Sequence, residues 1–145
     1  MGRSAKRRSK TTGEHTLEEI DGERWSEPTL DSYVVRACHA LRRKPLNTLT
    51  DEELRLAVGQ GIGLEWLVPR MLQRLAEDPF RPGDFFEGDL LASLAHVPAS
   101  YWLEHPAEKT ALATKIMTAA IADGRLPDMP KETQQAVADL RAVSG

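Results

Sequence analysis

Some residues in this chain are of types that act as nucleophiles or bases in enzymes. The one cysteine, Cys38, is followed directly by His39. Neighbouring residues on a helix point about 100° apart, so these two side chains do not form a nucleophile and its base. We therefore expect Cys38 to lie in the core. A single cysteine also forms no intramolecular disulfide, which fits a reducing compartment.

The histidines and carboxylates give no metal-binding motif. The four histidines are widely separated in the sequence: His15, His39, His96 and His105. Neither His-Glu-x-x-His nor Cys-x-x-Cys occurs. The acids Asp84, Glu87 and Asp89 do not have the spacing of the twelve-residue calcium loop. We expect no metal and no other cofactor.

A glycine run, Gly59-x-Gly61-x-Gly63, resembles part of a phosphate-binding loop. A dinucleotide fingerprint would need glycine at position 64, which is leucine, and a strand before the run. The preceding residues have helical periodicity, so a tight turn between helices explains these glycines. No pattern marks a pair of catalytic carboxylates either. The sequence therefore predicts a protein that is not an enzyme.

The most distinctive segment runs from Ala76 to Ala92 and contains five acidic residues but only one arginine, together with three phenylalanines. Carboxylates on a loop attract a basic surface, and aromatic side chains anchor it. We select Asp84, Glu87 and Asp89 as candidate contacts with a basic protein partner. Two alternatives stay open, since the phenylalanines are equally compatible with burial and Asp89 is placed to cap the helix that follows.

Apolar residues at helical spacing and clear capping signals predict the elements that position this loop. Thr50 and Glu53 form a capping box, and Pro106 and Pro130 suit helix starts. No segment alternates like a strand. The predicted fold is all-α, a single compact domain of about six helices over residues 29–145, after a flexible basic lead-in over 1–28. The basic run at 42–44 is expected to solvate the end of the first predicted helix.

The 145 residues carry 19 Lys+Arg and 22 Asp+Glu. Five of the cations stand within the first ten residues, so the rest of the chain is markedly acidic. An acidic body argues against nucleic acid as the main partner and favours a basic protein. No membrane-spanning run or apolar signal core occurs, so we expect a cytoplasmic protein that does not bind membranes. The oligomeric state is not predicted.

Several short motifs together resemble the helical immunity proteins of bacterial contact-dependent growth inhibition (CDI) systems. The resemblance spans about residues 30–105. The motifs are Leu41-Arg42-Arg43-Lys44-Pro45-Leu46, Leu49-Thr50, Glu53-Leu54-Arg55, Gln60, Ile62-Gly63-Leu64, Leu67-Val68-Pro69, Gly83-Asp84-Phe85, Gly88-Asp89-Leu90-Leu91 and Tyr101-Trp102.

This resemblance implies a cytoplasmic, non-catalytic antitoxin that binds the toxic C-terminal domain of a cognate effector and protects the producing cell. Such toxins are commonly nucleases. If the toxin cleaves RNA, its substrate site must be basic, and an acidic inhibitor is suited to occupy that site as a phosphate mimic. Asp84, Glu87 and Asp89 are then the candidate toxin contacts.

A helix-turn-helix DNA-binding regulator is the second interpretation. The helix at residues 50–58, the glycine-rich turn and the helix from Leu64 have the required order. The second helix presents Arg70, Gln73 and Arg74, but Pro69 falls near the end that should meet the bases. An enzyme with an unrecognised pocket for a small molecule is third.

Overall fold

The fold of the described residues is all-α, as predicted. The computed structural model describes residues 11–25 and 32–144, in which every regular element is helical. The α-helices are α1 Leu17–Asp21, α2 Tyr33–Leu41, α3 Asp51–Gly59, α4 Leu64–Glu77, α5 Asp89–Leu94, α6 Ala99–Glu104, α7 Pro106–Ala111, α8 Thr118–Ala122 and α9 Lys131–Ser144. A π-helical segment, Leu112–Met117, joins α7 to α8, and short 3-10 helices occur at Thr12–Glu14, Leu46–Thr48 and Leu126–Asp128.

The chain divides into two units, Met1–Leu49 and Thr50–Gly145, which are described separately. Within the described ranges, no helix is both long and apolar enough to cross a membrane. The basic residues 1–10 and the start of the helix expected near Thr29 lie outside the described residues.

The side chain of Arg42 connects several residues of the first unit. Its side chain is buried, and its guanidinium donates one hydrogen bond of 2.9 Å to each carboxylate oxygen of Asp21. A further bond of 2.7 Å reaches the carbonyl oxygen of Glu23, and the guanidinium lies 4.5 Å from the ring centre of Trp25. The hydrogen bonds from Arg42 lower the pKa of Asp21. The expectation that Arg42 is a solvated helix end was wrong, because α1 supplies a carboxylate and buries this cation.

Residues 11–25 fall in the segment that the sequence analysis expected to be a flexible lead-in, yet they contain the first 3-10 helix and α1. Thr16 and Glu19 form a capping box at the start of α1, and the Leu17 side chain is fully buried. The backbone N–H of Glu18 also donates to the carbonyl of Arg42. This short helix was missed because one turn is too short to show apolar periodicity, although its Thr-x-x-Glu signal is visible in the sequence.

The second unit is built around α3, α4 and α5. The predicted capping box of α3 is confirmed, since Thr50 accepts from the N–H of Glu53 and Glu53 accepts from the N–H of Thr50. Helix α4 buries one apolar face, comprising Leu67, Val68, Met71, Leu72 and Leu75. Pro69 lies in the second turn of α4, and the helix continues past it.

A side chain of helix α9 holds the start of α5. The hydroxyl of Thr133 donates to the carbonyl oxygen of Glu87, and the Thr133 side chain is completely buried. Gly88 stands directly against it with a φ of 86°, a left-handed conformation that favours glycine. A Cβ atom at this position would collide with the Thr133 side chain. The loop that precedes α5 is therefore fixed at its C-terminal end.

We predict that Gly88→Ala lowers the free energy of unfolding by about 2 kcal/mol or more, through a strained φ and a clash with Thr133. Gly61→Ala is the matched control, because Gly61 has a φ of 75° but open space around its Cα. That control should lose only about 1 kcal/mol, the strain contribution alone. Urea unfolding of both variants measures the difference, and equal losses would contradict the proposed packing of Gly88.

Candidate functional site

The loop between α4 and α5 carries the candidate residues, and we call residues 81–88 the acidic loop. A buried carboxylate, that of Asp89, holds its backbone. This carboxylate accepts hydrogen bonds from the backbone N–H groups of Gly83, Phe85 and Phe86. The predicted capping role of Asp89 was wrong, because Gly88 is the N-cap of α5 and no side chain caps this helix. Asp89 instead satisfies donors of the loop that precedes it.

Glu52, on α3, is the second carboxylate that holds the acidic loop. It accepts a 3.0 Å hydrogen bond from the backbone N–H of Asp84 and binds Arg55 through both of its oxygens. Burial opposes ionisation of Glu52, but the hydrogen bonds from Arg55 and Asp84 outweigh it and lower the Glu52 pKa. A Cβ atom on Gly83 would lie 2.8 Å from Glu52 Oε1, so a larger residue there would force this carboxylate to shift.

Four side chains of the acidic loop are exposed to solvent: Pro82, Asp84, Phe85 and Glu87. Phe85 is 66% exposed, and the Arg55 guanidinium lies 4.6 Å from its ring centre. Within the described part of the chain, neither the Asp84 nor the Glu87 carboxylate has a hydrogen-bond or ion-pair partner. Phe80, in contrast, is completely buried. The loop therefore combines two uncompensated negative charges with one exposed aromatic ring.

The arginine in this segment does not neutralise those charges. Arg81 donates to Asp51 on α3 at 2.6 Å, and Arg74 donates to the other oxygen of Asp51 at the same distance. Burial of Asp51 opposes its ionisation, but the two arginines outweigh this and lower its pKa. Asp78 is paired with Arg125 at 2.9 Å. Asp84 and Glu87 are thus left as the exposed charge of the loop.

A groove lies beside the acidic loop, with a volume of about 900 Å³. Its walls come from α3, α5 and α9, and Phe85 and Phe86 of the acidic loop also line it. Small residues, among them Gly59, Ala92 and Ala136, keep it open. The sequence analysis did not predict this groove, because its walls are far apart in the sequence.

The structure separates the three predicted contact residues. Asp84 and Glu87 are exposed on one loop, whereas Asp89 is 3% exposed and is engaged with the loop backbone. Glu52 and Arg55 were not predicted from the sequence. Their spacing of three residues on a helix indicates an ion pair but does not indicate a role in holding a loop.

Cys38 is buried, as predicted, and burial raises the pKa of its thiol. In residues 11–25 and 32–144, no three His, Cys, Asp or Glu side chains are grouped to hold a metal ion.

A comparison with protein families identifies the family of this chain. The family described as CDI immunity proteins matches residues 19–112, more than half of the chain. This chain belongs to the CDI immunity protein family. The matched range includes the acidic loop, the two carboxylates that hold it and the whole of α3 to α6. Searches of the curated proteins and of the solved structures gave no significant match to this CDI immunity protein.

The comparisons give no support to the helix-turn-helix interpretation of this CDI immunity protein. In the structure, Arg74 of the proposed recognition helix donates to Asp51 instead of standing free to contact a base. Pro69 lies within that helix and not at its start.

The pKa of Glu52 predicts a pH dependence of the loop. A carboxylate whose pKa is lowered by folding stabilises the folded state above its unfolded pKa, about 4.3 for glutamate. That stabilisation is lost as the pH falls from the unfolded pKa through the lowered pKa of the folded state. We predict that Glu52→Gln costs about 1–3 kcal/mol of unfolding free energy at pH 7 and flattens the acid-side loss.

Urea unfolding at pH 7 and at acidic pH measures both effects. Glu87→Gln is the matched control, because it removes an exposed carboxylate nearby and should change neither the stability nor its pH profile by more than about 0.5 kcal/mol. A Glu52→Gln variant with native stability at pH 7 would show that the carboxylate does not hold the loop.

Proposed function

We propose that this protein acts in the cytoplasm as a non-catalytic immunity protein, which binds and neutralises the toxic C-terminal domain of its cognate CDI effector. Family membership supports the immunity role. The observation that supports the site is the exposed face of the acidic loop, where Asp84 and Glu87 carry unpaired charge beside the exposed Phe85. Two exposed acids on one loop steer association with a basic partner, and an exposed aromatic ring supplies apolar contact.

The same charge favours a nuclease as the toxin, and an RNA-cleaving enzyme in particular. A nuclease must bind the phosphates of its substrate with cationic side chains. Two carboxylates on a rigid loop present negative charge to such a site as the phosphates would. In this proposal, the acidic loop covers the substrate site of the toxin and keeps RNA out.

Asp89 then serves binding indirectly. Its carboxylate is turned toward the backbone of Gly83, Phe85 and Phe86, so it orients the loop while Asp84 and Glu87 make the contact. A rigid loop loses less conformational entropy on association than a flexible one. Two of the three residues selected from the sequence are thus proposed as contacts and the third as a positioning residue.

We predict that the double variant Asp84→Asn/Glu87→Gln slows association with the toxin domain about tenfold at low salt, because it removes steering charge. The difference from the native protein should shrink as salt rises, since salt screens exposed charges. Stopped-flow or surface-binding kinetics at two salt concentrations measure both effects, with cleavage of RNA by the toxin followed in parallel.

Glu104→Gln/Asp128→Asn is the charge-matched control, since both acids are exposed elsewhere in the second unit. This control should bind and protect almost as the native protein does. An equal effect from both double variants would mean that net charge, and not the acidic loop, governs association.

We also predict that Asp89→Asn lowers both stability, by about 1–3 kcal/mol, and affinity, because an amide group would oppose loop N–H donors. The Asp84 and Glu87 substitutions should lower affinity alone. Thermal unfolding alongside the binding assay separates these results. Native stability with reduced binding in Asp89→Asn would make Asp89 a direct contact after all.

A further inference from the structure

The groove beside the acidic loop is continuous with the proposed contact face. Phe85 contributes both to the exposed face and to the groove lining, and its ring lies over Arg55, which also lines the groove. The lining includes Gly59 of α3 and Ala92 of α5, which have no large side chain to fill the space, and we call these two positions the base of the groove. A protein partner that covers the acidic loop therefore also meets the groove.

The α9 wall of the groove is polar, and its acids are accessible. Glu132, Gln135 and Asp139 are all exposed on this wall, together with Lys131. Asp139 accepts one hydrogen bond, from the Gln135 amide at 2.8 Å, and Glu132 has no side-chain partner among the described residues. On the opposite side, the charge of Arg55 is matched by Glu52 and approached by Asp89 at 4.0 Å. The acids of α9 thus remain available to a cation.

We propose that the groove receives one protruding segment of the toxin domain, in which an apolar side chain stands beside a lysine or arginine. The apolar side chain packs on the small residues at the base, near Gly59 and Ala92. The cation pairs with Glu132 and Asp139 on α9. This inference rests on the proposed function, and it adds a second, enclosed contact to the exposed acidic loop.

The position of α9 suggests what this second contact does. Helix α9 begins at residue 131, beyond the matched range 19–112. The α9 wall therefore lies outside what this chain demonstrably shares with its family, whereas the α3 and α5 walls lie inside it. A pocket with one wall inside the matched range and one wall beyond it is suited to distinguishing the cognate toxin from related ones.

Filling the groove from its base tests this inference. Gly59 is suitable because it has no positive φ, and a Cβ atom there meets only Ser93 Cβ, at 3.9 Å. Gly59→Trp should weaken binding to a catalytically inactivated toxin domain at least about tenfold, because the bulky ring occupies the site of the toxin side chain. Gly59→Ala is the control at the same position and should bind as the native protein does.

A second variant covers the case in which Gly59→Trp does not fold. Glu132→Lys/Asp139→Lys reverses two exposed charges on α9 and should also weaken binding at least about tenfold. Titration calorimetry with the inactivated toxin domain, after circular dichroism has verified folding, measures all variants. Native toxin affinity in the folded variants would overturn the groove proposal, including the case in which a variant changes only the association of the protein with a second copy of itself. Failure of the native protein itself to bind would overturn the proposed function instead.

Discussion

The proposed contact face of this protein depends on two buried carboxylates that face the backbone of one loop. Glu52 comes from α3 and Asp89 from the start of α5, and together they accept the N–H groups of residues 83–86. A loop without regular structure has no repeating backbone hydrogen bonds of its own to satisfy these donors. A buried donor left without a partner lowers the stability of the folded state. Charged acceptors give stronger hydrogen bonds than neutral ones. Arg55 pairs with Glu52 and lies 4.0 Å from Asp89. The conformation of the acidic loop follows from this arrangement.

This arrangement separates the residues that build the fold from those available to a partner. Leu54, Leu67 and Trp102 belong to the motifs that resemble the CDI immunity proteins, and all three are buried at 2% exposure or less. Asp84 and Glu87 face solvent on the loop that the buried carboxylates hold. An immunity protein must match its own toxin, and such specificity requires surface residues that change without disturbing the core. In this fold, the exposed side chains of the loop are distinct from the side chains that form the core.

Much of the fold was predictable because its signals are local. The capping box at Thr50, the helix starts suggested by Pro106 and Pro130 and the apolar face of α4 all appear in the order of residue types, and the structure confirms these helices. The proposed contact face was only partly predictable. Charge marked the acidic loop. Asp89 was expected to cap α5, whereas it accepts hydrogen bonds from Gly83, Phe85 and Phe86, which precede it by only a few positions. Glu52 was missed because its hydrogen bond from Asp84 joins residues 32 positions apart, which no local pattern encodes. The buried Arg42 was missed for the same reason, since its partner Asp21 belongs to another helix.

The central claim is that the acidic loop, in the conformation set by Glu52 and Asp89, is the face that meets the toxin. A crystal structure of the complex with the inactivated toxin domain tests it most directly. The account predicts that Asp84, Phe85 and Glu87 become buried against cationic side chains of the toxin, while the loop backbone moves by less than about 1 Å. A complex in which the toxin covers another surface and leaves this loop in solvent would contradict it.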